Sequence, residues 1–295
     1  HLSIRRQRQM CIRDSVVLMG HCDTVFGEGT AALRPFRIED DMAYGPGVAD
    51  MKAGLVINSF VLSAFARAGI EAPMVGLYTA DEEIASPASR PFIEANAVQA
   101  LAVFNSEPGR PSGNVVTGRK GAMFVDCEVT GISAHSGVNH QEGASAIEAL
   151  CRKVVQMHQL TSYDSGTTVN VGLIQGGLSV NTVAPQARAS IDVRFKTAEA
   201  MEDVKAKLAA IMAQNEVHGT CAHITQQRYF LPLVQSEASK RLFDAYVDSA
   251  AAIGFGTSGE YTGGSADSGF TAAAGIPTLC GTGPVGGKAV SYTHL

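Results

Sequence analysis

The chain of 295 residues is 45% hydrophobic and 17% charged, with a formal net charge of −5. That apolar content supports a sizeable core and excludes disorder as the main state, while the acidic balance excludes nucleic-acid binding as the main task. No apolar run reaches the ~18 residues of a membrane-spanning helix, so no membrane partner is expected.

Residues 1–15 carry Arg5, Arg6, Arg8 and Arg13 with no apolar periodicity and no apolar stretch of signal-peptide length. This end and the last six residues, VSYTHL (290–295), resemble translated adapter sequence and are read as non-native. The native N-terminus is then taken to be missing, which leaves the compartment unread: a cytoplasmic location is the default and a periplasmic one stays open.

Between these ends, VVLMG (16–20) reads as a buried strand and the mostly apolar 51–68, closed by Gly69, as a buried helix. MVGLYT (74–79) is a second strand. Ser86-Pro87 reads as a cap followed by proline at the first position of a helix reaching about Asn96. LAVFN (101–105) is a third buried strand. Apolar strands alternating with helices predict a mostly parallel sheet covered on both faces. The pattern then changes. AMFVDCEVT (122–130), a helix over 143–160, TTVNVGLI (167–174), the cleanly alternating QARASIDVRF (186–195), an amphipathic helix over 198–214 with Met201, Val204, Leu208 and Ile211 on one stripe, and CAHITQQ (221–227) follow in order. That β-α-β-β-α-β order is the ferredoxin-like unit. Residues 236–253 return to a helix and GIPTLCG (275–281) to a short buried strand.

The predicted fold is therefore an α/β domain over 16–115 and 229–289, interrupted by an α+β domain over 116–228. Six scattered cysteines (Cys11, Cys22, Cys127, Cys151, Cys221, Cys280) form no Cys-x-x-Cys pair and read as buried structural thiols, not a disulfide framework.

Chemistry-bearing residues gather where the strands of the first domain end. After the first strand comes Gly20-His21-Cys22-Asp23, in which Asp23 could fix the ring of a metal-binding His21; taken alone, the segment reads more readily as a polar strand-to-loop cap. Asp50, in Tyr44-Gly45-Pro46-Gly47-Val48-Ala49-Asp50-Met51-Lys52, sits just before a helix and reads as an N-cap or a ligand. Asp81-Glu82-Glu83 ends the second strand, and three adjacent carboxylates call for a positive counterpart, from solvent or from an ion. Glu107-Pro108 follows the third strand. All fall on the carboxyl edge of the sheet, where open α/β sheets bind ligands. One imidazole among several carboxylates suits a zinc-like ion, and two metals sharing Asp50 would neutralise the carboxylates and activate water for hydrolysis.

His-x-Asp-x-Val, Gly-Pro-Gly-x-x-Asp-Met-Lys-x-Gly, Asp-Glu-Glu and Glu-Pro, in this order, resemble the di-zinc metallopeptidase family of aminoacylases and glutamate carboxypeptidases, over about Val16 to Ala289. HCDTVFG and AYGPGVADMK are most similar to the glutamate carboxypeptidase branch. The resemblance implies a parallel-sheet catalytic domain with a ferredoxin-like lid that also dimerises the chain. It implies two Zn2+ ions, with Co2+ or Mn2+ as substitutes. His21 and Glu107 would ligate one ion, Glu83 the other, and Asp50 would bridge them. Glu82 would be the general base and Asp23 the partner of His21. In the lid, His135 would polarise the scissile carbonyl of the partner subunit's site, so a homodimer is implied. Asn181, Arg194 and Gly264 would contact the substrate, Arg194 by a bidentate grip on a carboxylate.

The implied activity is hydrolysis of an amide or peptide bond next to a free α-carboxylate, on a small N-acyl amino acid or peptide. N-acyl-diamino-acid deacylase or dipeptidase activity is the alternative within the family, and a non-catalytic ligand-binding or dimerisation relative is the alternative outside it. Two departures stand out. The family's last zinc histidine is expected after Gly283-Pro284-Val285-Gly286-Gly287-Lys288-Ala289, where Val290 stands, so weakened binding at the second metal position is expected. Ala85 occupies a position where glycine is usual.

Overall fold

The computed structural model describes residues 15–287; the expectations for both chain ends, Val290 included, lie outside them. The chain divides into two compact units. One runs up to Arg119 and resumes at Leu233; the other spans Lys120–Pro232.

In chain order, the first unit contributes β1 (Val16–His21), α1 (Thr30–Leu33), β2 (Arg37–Glu39), β3 (Met42–Tyr44), α2 (Ala53–Arg67), β4 (Met74–Thr79), α3 (Arg90–Ala97), β5 (Ala102–Asn105) and β6 (Val115–Arg119). The second unit holds β7 (Gly121–Thr130), α4 (Ala146–His158), β8 (Thr168–Gly176), β9 (Gln186–Phe195), α5 (Ala198–Ala213) and β10 (Cys221–Phe230). The first unit then closes with α6 (Glu237–Ala252), β11 (Gly259–Thr262), α7 (Ser268–Ala273) and β12 (Thr278–Cys280).

The main sheet of the first unit has the order β11-β6-β12-β5-β1-β4. Every pairing is parallel except that of β12 with β6, so the mostly parallel sheet expected from apolar strands and crossover helices is present. The register places His21 beside Thr79 and Met19 beside Asn105. β1, β4 and β5 therefore end at one edge, and the residues after them share that edge.

The second unit is the ferredoxin-like arrangement, a fully antiparallel sheet of order β10-β7-β9-β8. β9 alternates as its sequence does, burying Ala187, Ala189, Ile191, Val193 and Phe195. α5 buries Met201, Val204, Leu208 and Ile211 against the same core. Ser145 caps α4 by accepting from the Glu148 amide at 3.2 Å, and Thr197 caps α5 by accepting from the Ala200 amide at 3.2 Å. The buried Lys153 donates to the Ile211 and Gln214 carbonyls at 2.8 and 2.6 Å, satisfying the exposed end of α5.

Several expectations need correcting. The helix expected to be buried over 51–68 is mostly exposed: only Gly54 and Asn58 of α2 are buried, and Phe60 is 72% exposed. It meets the sheet along a narrow face: a Cβ on Gly54 would lie 2.0 Å from the Ser106 carbonyl oxygen, and Asn58 donates to the Met19 carbonyl at 3.3 Å. The helical stretch Val48–Arg67 is also long and apolar enough, by length and composition, to cross a membrane, contrary to the reading of run lengths alone. Ser86 caps nothing. It has φ 51°, and α3 begins only at Arg90, with Ser89 at its N-cap position. Of the described cysteines, Cys127 and Cys280 are buried, but Cys22, Cys151 and Cys221 are exposed. The β2–β3 hairpin was not anticipated; its two-residue turn, Asp40-Asp41, has φ of 47° and 64°, as a primed hairpin turn requires.

Candidate metal centre

His21 ends β1, is 1% exposed, and is surrounded by carboxylates. Its Nδ1 lies 3.3 Å from Asp23 Oδ1, and its Nε2 lies 3.2 Å from Asp50 Oδ1 and 3.8 Å from both Glu82 Oε2 and Glu107 Oε1. Two sets of donor atoms lie within 4.8 Å of one another: His21 with Asp50 and Glu83, and His21 with Glu82 and Glu107. The four expected ligands and the expected base are thus together at the carboxyl edge of the sheet, carried by segments up to 86 residues apart in sequence.

Each position has a local cause. Asp23 orients two groups at once, since its Oδ2 also accepts from the Glu83 amide at 2.9 Å. Asp50 follows Gly47, whose φ of 70° suits glycine, and precedes a cis peptide bond to Met51. Glu82 and Glu83 begin a single 3-10 turn after β4. That turn exits through Ala85 and Ser86, with φ of 69° and 51°. A left-handed non-glycine residue costs roughly 1–2 kcal/mol, which explains why glycine would suit position 85.

The electrostatics show too little positive charge. Burial and the neighbouring Glu107 push the Glu82 carboxyl well up. Burial and Asp50 bring Glu83 up to about 7. Glu107 is raised, first by burial, although Arg119 opposes the rise. Burial alone would lower the His21 value; its hydrogen bonds to Asp23 and Asp50, with the charges of Glu82 and Glu107, outweigh that and push it up to about 12. Glu107 Oε1 is buried without a hydrogen-bond partner. A divalent cation on the Nε2 side of His21 would satisfy it and balance the carboxylates, so the residues present fit a metal ion.

Beside the cluster is a cavity of about 350 Å³, lined among others by Asp50, Glu82, Glu107, Arg110, Arg119 and Gly264. Gly264, expected to contact substrate, lines this cavity. Arg119 was missed. It is 7% exposed, and donates from Nε to Cys280 Sγ at 3.1 Å and from Nη1 to the Gly264 carbonyl at 3.3 Å. Asp267, three residues after Gly264, was missed as well. It is 3% exposed and sits close enough to Glu82 for their charges to interact.

The remaining expected residues lie in the second unit. His135 and Asn181 are neighbours there: His135 bridges to Thr182, and the Ser136 amide donates to the Asn181 carbonyl at 3.0 Å. Arg194 is not with them. It stands eight positions along β9 from Gln186, roughly 27 Å at the rise of an extended strand. Its Nε and Nη2 both donate to Asp192 at 2.7 Å, and it lies over the Phe124 ring.

Comparison with known proteins agrees with this architecture. The peptidase dimerisation domain of the M20 family matches residues 117–220. Carboxypeptidase G2 of a Pseudomonas species is 28% identical over 270 residues, covering 90% of this chain and 65% of that protein. Acetylornithine deacetylase of Pasteurella multocida is 29% identical, covering 66% and 55%. Aminopeptidase PepT of Bacillus cereus shares the fold with a TM-score of 0.68 at 24% identity, covering 90% and 72%. The M20 metallo-carboxypeptidase Sso-CP2 of Sulfolobus solfataricus does so with a TM-score of 0.69 at 19%, covering 92% and 77%. The fold and the acidic histidine cluster define a zinc-peptidase-like α/β protein with a ferredoxin-like second unit. Residues 117–220 match the M20 peptidase dimerisation domain, and the chain as a whole is similar to M20 peptidases and deacetylases. It spans just under two thirds of Carboxypeptidase G2 and about half of the acetylornithine deacetylases.

Proposed function

We propose that the protein is a metal-dependent hydrolase that cleaves an amide or peptide bond adjacent to a free α-carboxylate, in the manner of a glutamate carboxypeptidase. The observation that carries this reading is the convergence of His21, Asp50, Glu82, Glu83 and Glu107 on one sheet edge, with Glu107 Oε1 buried and without a hydrogen-bond partner. His21, Asp50, Glu83 and Glu107 would hold two zinc ions, His21 being the residue common to the two donor sets. Zinc, when bound, polarises a carbonyl and lowers the pKa of water.

The chain's own residues supply the rest. Asp23 holds the His21 ring through Nδ1, leaving Nε2 directed at the cluster. Glu82, buried within the cluster, would take a proton from the attacking water and pass it to the leaving amine. Arg119 and Arg110, lining the same cavity, make its far wall cationic, which suits a substrate carboxylate near Gly264. The separation of His135 and Asn181 from Arg194 within one unit supports a homodimer in which one subunit's site draws on His135 of the other. β8 favours this assembly: it is an edge strand whose Leu173 and Ile174 are 65% and 52% exposed. Similarity to acetylornithine deacetylases supports N-acyl-diamino-acid deacylation as the second reading.

The test is release of free amino acid from a panel of N-acyl amino acids and C-terminal glutamyl peptides, with zinc added and with a chelator. Chelator-sensitive release is expected. No such hydrolysis across the panel would overturn the proposal.

A further inference from the structure

We propose that Asp267 is the positioning residue that fixes the segment Thr79–Ser86, and with it Glu82 and Glu83, in working geometry. The inference rests on the roles proposed above for those two glutamates.

The segment leaves β4 at Thr79 and turns back at Ser86. The Asp267 carboxylate meets both ends: Oδ2 accepts from Thr79 Oγ1 at 3.3 Å, and Oδ1 accepts from Ser86 Oγ. The three side chains are 3%, 3% and 0% exposed, so water does not compete for these bonds. A carboxylate offers one acceptor oxygen to each hydroxyl, which neither a serine nor a threonine could do. On the outer side, Asp81 Oδ2 accepts from the Ala88 and Ser89 amides at 2.7 and 3.1 Å, and the Ser86 amide donates to the Asp81 carbonyl at 2.8 Å. The turn carrying Glu82 and Glu83 is thus held between two carboxylates. Such restraint is what two successive left-handed non-glycine residues, Ala85 and Ser86, need in order to persist.

The commonplace explanation for Asp267 does not hold. It occupies the N-cap position of α7, yet its side chain makes no capping hydrogen bond. Among the described residues it has no ion pair within 4.0 Å. A buried carboxylate without a cation costs stability unless its acceptors are filled, and they are filled by the two ends of the glutamate-bearing segment. Asp267 also closes the run from Gly263, so it links Gly264 at the cavity to that segment.

The experiment compares the parent chain with Asp267→Ala, Asp267→Asn and Ser86→Ala. Zinc affinity is measured by competition with a chromogenic chelator, and kcat and KM on metal-saturated protein. Loss of a group that orients metal-binding residues weakens metal binding by about 10- to 100-fold, and a misplaced base lowers kcat by about 100-fold. Both losses are expected in Asp267→Ala, with KM nearly unchanged. Asp267→Asn keeps an acceptor for Ser86 and is expected to recover most of both. Folded Asp267→Ala protein with parental zinc affinity and parental kcat would overturn the inference. If that variant does not fold, Ser86→Ala decides in the same way: unchanged zinc affinity overturns the inference, and weakened affinity with retained folding supports it. A parent chain that binds no zinc would overturn both this inference and the metal reading beneath it, whereas a zinc-binding parent with unaffected variants overturns this one alone.

Discussion

Replacing Arg119 by methionine removes a buried guanidinium that acts on the carboxylate cluster while keeping much of its volume. Two hydrogen bonds from a charged donor are lost, to Cys280 Sγ and to the Gly264 carbonyl. At the lower end of the range for charged groups, about 1.5 kcal/mol each, the loss is about 3 kcal/mol. Glu107 responds as well. Arg119 holds its proton affinity down, so in the variant Glu107 protonates more readily and recovers part of the loss at low pH. The destabilisation is therefore larger near pH 8 than near pH 5. In a domain of this size about 1 kcal/mol corresponds to roughly 2–4 °C, so a fall in Tm of about 6–12 °C is expected at the higher pH. Thermal unfolding of the metal-free protein, followed by circular dichroism at both pH values, measures it. A Tm within about 2 °C of the parent at both values would refute the reasoning.

Glu82→Gln is expected to retain zinc and lose most turnover; retained turnover would remove Glu82 as the base. Metal affinity is expected to rise with pH between about 5 and 8, because zinc must displace the Glu83 proton and the His21 proton. The rise is steeper below about 7, where Glu83 still carries its proton. In the metal-free protein the sign for stability is the reverse: the raised Glu83 value favours the protonated fold, so its contribution is complete below about 4.5 and is lost as pH rises through about 7. Chelator competition and denaturant titration check the two trends, and a flat affinity profile would contradict the first. Ala85→Gly is expected to gain about 1 kcal/mol by relieving the left-handed backbone, read as a shift in denaturant midpoint. Mixing inactive Glu82→Gln and His135→Ala subunits is expected to restore about a quarter of parental activity, since half of the dimers would carry one complete site; no recovery would argue against a shared site. Val290→His is expected to strengthen metal binding, measured by the same chelator competition.

What was legible in the sequence follows from how strongly local pattern determines structure. β9 and α5 matched their predicted spans closely, because one face of each is buried and the period shows it. Most of the cluster was legible because His21, Glu82, Glu83 and Glu107 sit at or just after the ends of apolar strands that run parallel, and Asp50 because it precedes a helix. The β2–β3 hairpin was hidden, since its strands are three residues each and its turn uses Asp40-Asp41 instead of Asn-Gly. β6 and β11 are too short and glycine-bearing to show alternation. α2 misled because Val56, Ile57 and Phe60 carry the composition of a buried helix without its environment. Arg119 and Asp267 were illegible as site residues for a common reason. Each meets its partners across more than 140 residues of sequence, and no local signal reports such a contact. Ser86 failed in the same way, its hydroxyl serving a distant carboxylate and not the next helix.

The central claim is that His21, Asp50, Glu83 and Glu107 form a metal centre. Equilibrium dialysis against zinc near pH 8, with metal content determined on the retained protein, tests it most directly, using Asp50→Asn alongside the parent. Zinc is expected to be retained by the parent and largely lost from the variant. Zinc at the buffer background in the parent, or equal retention in both, would contradict it.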